Sequence, residues 1–146
     1  MIQIILASHG PMAEAMLASA AMLYGKKENI EALTLSEDDS AEGFRSRMEK
    51  LLHKNTGRRG TLILCDIPGG TPCNTAVALA EEYPDIIVIA GMNMVMLLEA
   101  LICGDETSLE ECASLLVTSG KENLQRMTPP KQEEVDLLDS MMEEEE

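Results

Sequence analysis

The sequence predicts an α/β protein with an open, mainly parallel four-stranded sheet and helices on both faces. Four short apolar runs alternate with segments rich in Ala, Leu and Met that are long enough for helices. Near-continuous apolar runs are typical of parallel strands, because both faces of such a sheet are covered. Each helical segment is also long enough for the right-handed crossover that joins two parallel strands.

The individual elements follow from the apolar runs and from the residues that begin or end helices. Pro11 and Pro72 open helices, since the N–H that proline lacks would be unpaired in the first turn. Gly25 ends the first helix and Pro84 breaks the third. A basic, glycine-containing loop is expected at 55–60. The predicted strands are 2–7, 30–35, 61–65 and 85–90. The predicted helices are 11–24, one that is capped by 36–40 and runs to about 53, 72–82, 94–103 and 109 to about 118, with 122–127 either a short strand or a helix end.

Composition predicts one domain, residues 1–128, followed by an acidic, disordered tail, residues 129–146. The chain has 146 residues and is 45% hydrophobic, which suits one core. Residues 131–146 hold eight acids and one base, a composition that does not favour ordered structure. The net charge of -15 argues against nucleic acid and anionic membrane surfaces as partners.

The cysteines and the first residues indicate a cytoplasmic protein. Cys65, Cys73, Cys103 and Cys112 have neither CxxC nor zinc-site spacing. We therefore expect small, buried thiols in a reducing cytoplasm. The first apolar run is too short, and lacks the basic flank, for a signal peptide or a membrane span.

A histidine and an aspartate follow two of the predicted strands. His9 ends the first apolar run and Asp66 ends the third, and the carboxyl ends of parallel strands meet at one edge of a sheet. If the two strands are neighbours, the carboxylate fixes one ring nitrogen and leaves the other free to attack. Gly70 and Thr71 precede the helix at Pro72, and a helix N-terminus suits a phosphate.

Each of these residues also has a structural interpretation. His9 is equally well explained as a turn residue bonded to backbone, Asp66 as a turn cap, and Thr71 as the N-cap of the next helix. His53 is expected to be exposed, and Cys73 has no neighbouring base in the sequence. No cluster has metal-ligand spacing, and no glycine-rich nucleotide motif is present, so no cofactor or metal is expected.

Three stretches of the chain together form a recognisable pattern. They are ILASHGPMAEAML, LCDIPGGTPCNTA and VIAGMNMVMLLEAL, of which the second is the most specific. With these motifs the chain resembles the IIA domain of the mannose-family sugar phosphotransferase system of bacteria. The resemblance covers residues 1 to about 103, and the family's remaining helix and strand extend it to about residue 127.

The resemblance implies a phosphoryl carrier. His9 would receive a phosphoryl group from the phosphocarrier HPr and pass it to a IIB protein, which phosphorylates the sugar entering through a membrane permease. Asp66 would orient the ring as the second catalytic residue, and the family's turn near the site matches Gly91–Asn93. The phosphate-binding residues implied are Gly10, Gly70 and Thr71.

The resemblance also implies a homodimer. Family members exchange a last, antiparallel strand between subunits, for which 122–127 is the candidate here. The chain departs from the family at Pro68, where an aromatic residue is common, and at Val95, where proline is frequent. The change at Pro68 leaves the IIB partner undetermined.

Two alternatives remain open at this point. Related domains serve a dihydroxyacetone kinase or transcription regulators, which would keep phosphoryl transfer but change the pathway. The other alternative is a flavodoxin-like binding module in which His9 has no chemical role. An aromatic content of 2% argues against flavin, because few rings are present to stack on it.

Overall fold

The structure, a computed structural model, describes residues 1–54 and 59–144. Part of the predicted basic loop (55–58) and the end of the acidic tail (145–146) therefore lie outside the described residues. The strands are β1 (Gln3–His9), β2 (Ile30–Leu35), β3 (Thr61–Cys65) and β4 (Ile86–Ala90). The helices are α1 (Met12–Tyr24), α2 (Ala41–His53), α3 (Thr71–Glu82), α4 (Met94–Ile102), α5 (Leu109–Glu122) and α6 (Gln132–Glu144).

The four strands form one parallel sheet in the order β2-β1-β3-β4. This confirms the predicted fold class and makes β1 and β3 neighbours. In their register Ala7 lies opposite Cys65, whereas on the other side of β1 His9 lies opposite Leu35. The carboxyl ends of β1 and β3 therefore lie side by side at one edge of the sheet.

Helices cover both faces of the sheet and form two apolar layers. α1, α4 and α5 pack on the face that carries Ile4 and Leu6 of β1. α2 and α3 pack on the opposite face, which carries Ile5 and Ala7. Successive residues of a strand point to opposite faces, so an apolar run without alternation serves both layers at once.

Gln3, the polar residue near the start of β1, is buried, and both the nitrogen and the oxygen of its side-chain amide are hydrogen-bonded. Its amide nitrogen donates to the carbonyl of Leu51 at 3.0 Å, and its amide oxygen accepts from the Thr61 hydroxyl at 2.7 Å. Buried polar groups are costly unless they are hydrogen-bonded. The pair therefore links the start of β1 to β3 and to α2 without leaving an unpaired group.

The structure differs from the predicted elements near the end of the chain. α5 continues to Glu122, and residues 123–131 form neither helix nor strand, so the exchanged antiparallel strand is unconfirmed. Where a disordered tail was predicted, 132–144 form α6, which has no buried residue. Glu133 and Glu134 in its first turn favour the helix by interacting with its dipole. The division into a domain and a tail stays a prediction.

The expectation of four reduced cysteines is wrong for one pair. Cys103, at the end of α4, and Cys112, in α5, form a disulfide across the loop between these helices. Cys65 and Cys73 are free and buried, as expected. Among the described residues, no helix is both long and apolar enough to cross a membrane.

We predict that Ser108→Ala lowers the free energy of unfolding by about 1 kcal/mol, which corresponds to a melting temperature about 2–4 °C lower. Ser108 caps α5: its hydroxyl accepts from the Glu111 amide at 3.1 Å, and the Glu111 carboxylate accepts from the Ser108 amide at 3.2 Å. Thermal melting followed by circular dichroism measures the change. Ser19→Ala, at an exposed position within α1, is the matched control, and an equal effect of both changes would contradict the prediction.

Candidate functional site

The candidate site lies where β1 and β3 end. His9 is the last residue of β1, and Asp66 follows β3 directly. One carboxylate oxygen of Asp66, Oδ2, accepts the backbone N–H of His9 at 2.8 Å and lies 2.7 Å from the ring nitrogen Nδ1. The structure thus brings together the two residues that the sequence places at neighbouring strand ends.

The Asp66 carboxylate is largely buried and accepts hydrogen bonds at both of its oxygens. Its side chain is 9% exposed, and Oδ1 accepts the backbone N–H of Ile67 at 2.9 Å. Burial by itself raises the pKa of Asp66, but the hydrogen bonds from His9 and Ile67 together outweigh it and lower that pKa below its ordinary value. The group is therefore an ionised acceptor at neutral pH, and it loses this role only as the pH falls through the lowered pKa.

An ionised acceptor at Nδ1 fixes the tautomer of the histidine ring. A neutral imidazole has one N–H and one lone pair, and the contact with Asp66 places the N–H at Nδ1. The lone pair is then at Nε2, on a side chain that is 46% exposed. A ring in this tautomer can act as a nucleophile through Nε2.

The reactive edge of the ring faces the start of α3. A Cβ added at Gly70 would lie 2.7 Å from Cε1 and 3.3 Å from Nε2 of His9. The absence of a side chain at this position is therefore what allows the ring to approach the backbone. Gly69, with φ of +79°, supplies the left-handed residue of the turn.

The N-terminus of α3 offers backbone donors beside Nε2. Gly70 is the N-cap and makes no side-chain capping bond, so the interpretation of Thr71 as the N-cap is wrong. The first N–H groups of a helix have no partner within the helix, and together with the helix dipole they favour an anion. Asn74 steadies the turn by donating from its side chain to the Gly69 carbonyl at 3.0 Å.

A residue that the sequence reasoning missed, Ser8, holds the turn after β1. It is fully buried, and its hydroxyl donates to the Gly10 carbonyl at 3.1 Å while accepting the Ala13 N–H at 2.8 Å. It thus caps α1 in place of Pro11, which makes no side-chain capping bond. The available signal was a hydroxyl residue in an apolar run shortly before a helix.

Gly10, which the resemblance implies as a phosphate-binding residue, forms the turn that follows His9. Its φ is +59°, a conformation that favours glycine. Its N–H donates to the Leu35 carbonyl at 2.8 Å, so this amide is occupied and is not a free donor for a phosphate. The role of Gly10 that the structure supports is therefore to let the chain turn after His9.

The remaining residues considered from the sequence lie in structural positions. The Asn93 side chain caps α4, accepting from Met96 N–H at 3.0 Å, and donates to the Gly120 carbonyl at 3.0 Å. The exposed His53 packs edge-to-face on Tyr83. Burial, with Cys73 and Asp66 nearby, raises the pKa of the Cys65 thiol. Within the described ranges, no group of three or more metal-ligating side chains is present.

Comparisons with known proteins identify the family of the chain. Residues 3–117 match the family described as "PTS system fructose IIA component". The chain is 33% identical over 127 residues to the mannose-specific EIIAB component of Escherichia coli K12, covering 86% of this chain but 39% of that protein. It is 26% identical over 125 residues to the fructose-specific EIIA component of Bacillus subtilis, covering 86% of each.

A solved structure shows the same fold. The mannose/sorbose-specific IIA subunit from Enterococcus faecalis superimposes with a TM-score of 0.82 at 32% identity, covering 88% of this chain and 96% of that one. The chain spans about two fifths of the length of the EIIAB relatives that it matches. These matches confirm the resemblance carried by the three sequence motifs. The chain belongs to the mannose-family IIA components of the bacterial sugar phosphotransferase system.

Proposed function

We propose that the chain is a cytoplasmic phosphoryl carrier that accepts a phosphoryl group from HPr on Nε2 of His9 and passes it to a IIB protein. The observation that supports this most strongly is the 2.7 Å contact between His9 Nδ1 and Asp66 Oδ2. It leaves Nε2 as the nucleophile, facing the N-terminus of α3. Membership of the IIA family supports the same class of reaction.

In the proposed step the lone pair of Nε2 forms the new N–P bond. The bond between phosphorus and the HPr atom that carries it breaks, and that atom keeps the electron pair. The ring of His9 becomes a phosphorylated imidazolium, whose positive charge Asp66 offsets at Nδ1. The phosphoryl oxygens meet the amides of Gly70 and Thr71 and the Thr71 hydroxyl, so the chain contributes mainly position and electrostatic stabilisation.

The surface beside His9 is compatible with a basic protein partner. β2 ends next to His9, and the loop that follows it carries the exposed Glu37, Asp38 and Asp39. A groove of about 350 Å³ opens next to Thr71, between α2 and α3. Charge complementarity of this kind raises the rate of encounter more than it raises affinity, which suits a carrier that binds two partners in turn.

We also propose that the protein is a homodimer in which 122–127 add to the outer edge of β4. β4 pairs only with β3 within the described sheet, so one side of its backbone is open to a further strand. Leu124 and Met127 are 90% and 81% exposed, which is costly unless another surface covers them. A groove of about 390 Å³ lies between β4 and α5 and is suited to receive them.

The experiment that tests the carrier function is intact-mass analysis after incubation with phosphoenolpyruvate, enzyme I and HPr. We expect wild-type protein to gain one acid-labile phosphoryl group and His9→Ala to gain none. His53→Ala is the matched control and should behave as wild type. Phosphate retained by His9→Ala would contradict the proposal.

We predict that Asp66→Asn slows phosphoryl transfer but leaves the protein folded. The amide removes the negative charge at Nδ1 and no longer fixes the productive tautomer. The equivalent change in hydrolytic triads costs about 10⁴-fold, and we expect about 10²-fold here because the phosphoryl donor is already activated. Rapid-quench phosphorylation with HPr gives the rate. A wild-type rate with unchanged melting would mean that Asp66 is only a turn residue.

We predict that Gly70→Ala impairs transfer with little change in melting temperature. The new Cβ forces the His9 ring away from its place, because the contact with Cε1 would be 2.7 Å. Gly104→Ala is the matched control, since a Cβ there meets no atom within 4 Å. Equal transfer rates for the two variants would show that the ring does not need its present approach to α3.

We predict that full-length protein is dimeric at micromolar concentration and that truncation after Asn123 makes it monomeric. This truncation leaves α5 intact and removes the segment proposed to add to β4. Truncation after Pro130, which removes only the region of α6, is the control and should stay dimeric. Light scattering coupled to size exclusion measures the masses, and a dimeric protein ending at Asn123 would place the interface elsewhere.

A further inference from the structure

Two free thiols lie next to the phosphoryl site. Cys65 is the last residue of β3, and Cys73 lies in the first turn of α3. Both side chains are buried in the apolar layer between the sheet and the helices α2 and α3. The Cys65 thiol donates a hydrogen bond to the sulfur of Cys73. The two sulfurs are therefore neighbours, although residues 66–72 separate them in the chain.

The segment between the two thiols carries most of the candidate site. It includes Asp66, which contacts the His9 ring, and it includes Gly70 and Thr71, whose amides begin α3. A covalent bond between the two sulfurs would close this segment into a ring that contains both the carboxylate and the helix N-terminus. The proposed phosphoryl transfer does not use the thiols, which leaves them available for a separate reaction.

The two thiols differ in their access to solvent. Cys65 is fully buried, whereas Cys73 is 7% exposed. Burial, with Cys73 and Asp66 beside it, raises the pKa of the Cys65 thiol, so Cys65 keeps its proton at neutral pH. Cys73 is therefore the thiol that a small oxidant reaches first. Cys65 lies where a second cysteine must lie to convert an oxidised Cys73 into a disulfide.

We propose that Cys65 and Cys73 form a reversible disulfide when the protein meets a hydroperoxide, and that this disulfide slows the phosphorylation of His9. The inference rests on the proposed carrier function, because it concerns the regulation of that same site. With both thiols reduced, as they are in the structure, the site has the geometry described above. With the two sulfurs joined, the start of α3 no longer has its present position beside the histidine ring.

Formation of the disulfide takes two steps, written here for hydrogen peroxide. The Cys73 sulfur attacks one peroxide oxygen, the O–O bond breaks, and the other oxygen leaves with the thiol proton as water, so Cys73 becomes a sulfenic acid. The Cys65 sulfur then attacks the Cys73 sulfur and displaces the hydroxyl group, which takes the Cys65 proton and leaves as a second water. The two thiols lose two electrons, which the peroxide gains. A dithiol reverses the reaction by thiol–disulfide exchange.

The sheet determines which end of the segment moves when the bond forms. A disulfide holds its sulfurs at about 2.05 Å, which is closer than two hydrogen-bonded thiols. The Cys65 backbone is held on one side by its pairing with Ala7, and on the other by Met92, whose N–H donates to the Cys65 carbonyl at 2.9 Å. We therefore expect the first turn of α3, which carries Cys73, to take up most of the displacement.

The start of α3 has little room to move beside His9. A Cβ at Gly70 would lie 2.7 Å from Cε1 of the ring, so the glycine backbone and the ring are already close. A displacement of Gly70 and Thr71 changes the distance from their amides to Nε2, where the phosphoryl oxygens are proposed to bind. A misplacement of about 1 Å can cost about 10²-fold in rate, and we expect the disulfide to slow transfer by about 10-fold or more.

The test compares full-length protein after treatment with dithiothreitol and after treatment with hydrogen peroxide. Rapid-quench phosphorylation with HPr gives the transfer rate, and peptide mapping by mass spectrometry detects the link between Cys65 and Cys73. We expect peroxide to form this link and to slow transfer about 10-fold or more, and we expect dithiothreitol to restore the rate. An unlinked pair after peroxide treatment, or a linked pair with the rate of reduced protein, would overturn the proposal.

Cysteine variants assign the response to this pair. Cys73→Ala should transfer at the rate of reduced wild type and keep that rate after peroxide treatment, because Cys65 then has no sulfur to join. Cys73→Ser serves the same purpose if the alanine variant does not fold. Cys103→Ala with Cys112→Ala, which removes the disulfide between α4 and α5, is the matched control and should keep the full response. A Cys73 variant that slows as wild type does, or a control that no longer responds, would contradict the assignment.

The same measurements separate this inference from the carrier function. Reduced wild-type protein that accepts no phosphoryl group from HPr contradicts the carrier function. Reduced protein that accepts it, and does so at an unchanged rate after peroxide treatment, leaves the carrier function intact and overturns the inference. A loss of rate that dithiothreitol does not reverse also overturns the inference, because it indicates oxidation of methionine or of cysteine beyond the disulfide.

Discussion

The candidate site depends on one interaction, the contact between His9 Nδ1 and Asp66 Oδ2 at 2.7 Å. It determines which ring nitrogen carries the proton and therefore which one is available for chemistry. The same oxygen accepts the His9 backbone N–H, so a single carboxylate fixes both the main chain and the ring. An exposed imidazole without this anchor would sample several rotamers, and its lone pair would have no fixed direction.

The pairing of strands in the sheet fixes the backbone positions of His9 and Asp66 and thereby this contact. The parallel pairing of β1 with β3 extends past Ala7, whose carbonyl accepts the Asp66 N–H at 3.2 Å. On the other side, Met92 N–H donates to the Cys65 carbonyl at 2.9 Å, so the backbone before Asp66 is held from two directions. The buried pair of Gln3 and Thr61 ties the opposite ends of the same two strands together.

Much of this arrangement was predictable from the sequence because it depends on local patterns. Apolar runs that end at His9 and Asp66 give both the strands and the shared edge, and the family resemblance supplied the roles of the two residues. A hydroxyl residue shortly before a helix marks Ser8 as a possible cap, but its two partners, Gly10 and Ala13, follow only from the built turn. The same holds for the Gly10 amide, which is occupied by Leu35 of a strand far along the chain.

Two features toward the end of the chain, α6 and the disulfide, were not predicted from the sequence. Acidic composition predicted disorder for 129–146, but the spacing of Val135, Leu138 and Met142 allows an amphipathic helix despite the charge. The composition of a segment does not depend on the order of its residues, whereas an amphipathic helix depends on the spacing of its apolar residues. The disulfide between Cys103 and Cys112 was missed for a related reason, because the loop that brings the two thiols together has no spacing signature.

Nitrogen NMR of the His9 imidazole, before and after phosphorylation by HPr, tests most directly whether Asp66 leaves Nε2 as the reactive nitrogen. We expect the neutral ring to carry its proton on Nδ1 and the phosphoryl group then to reside on Nε2. A neutral ring with its proton on Nε2, or a phosphoryl group on Nδ1, would contradict the role assigned to Asp66.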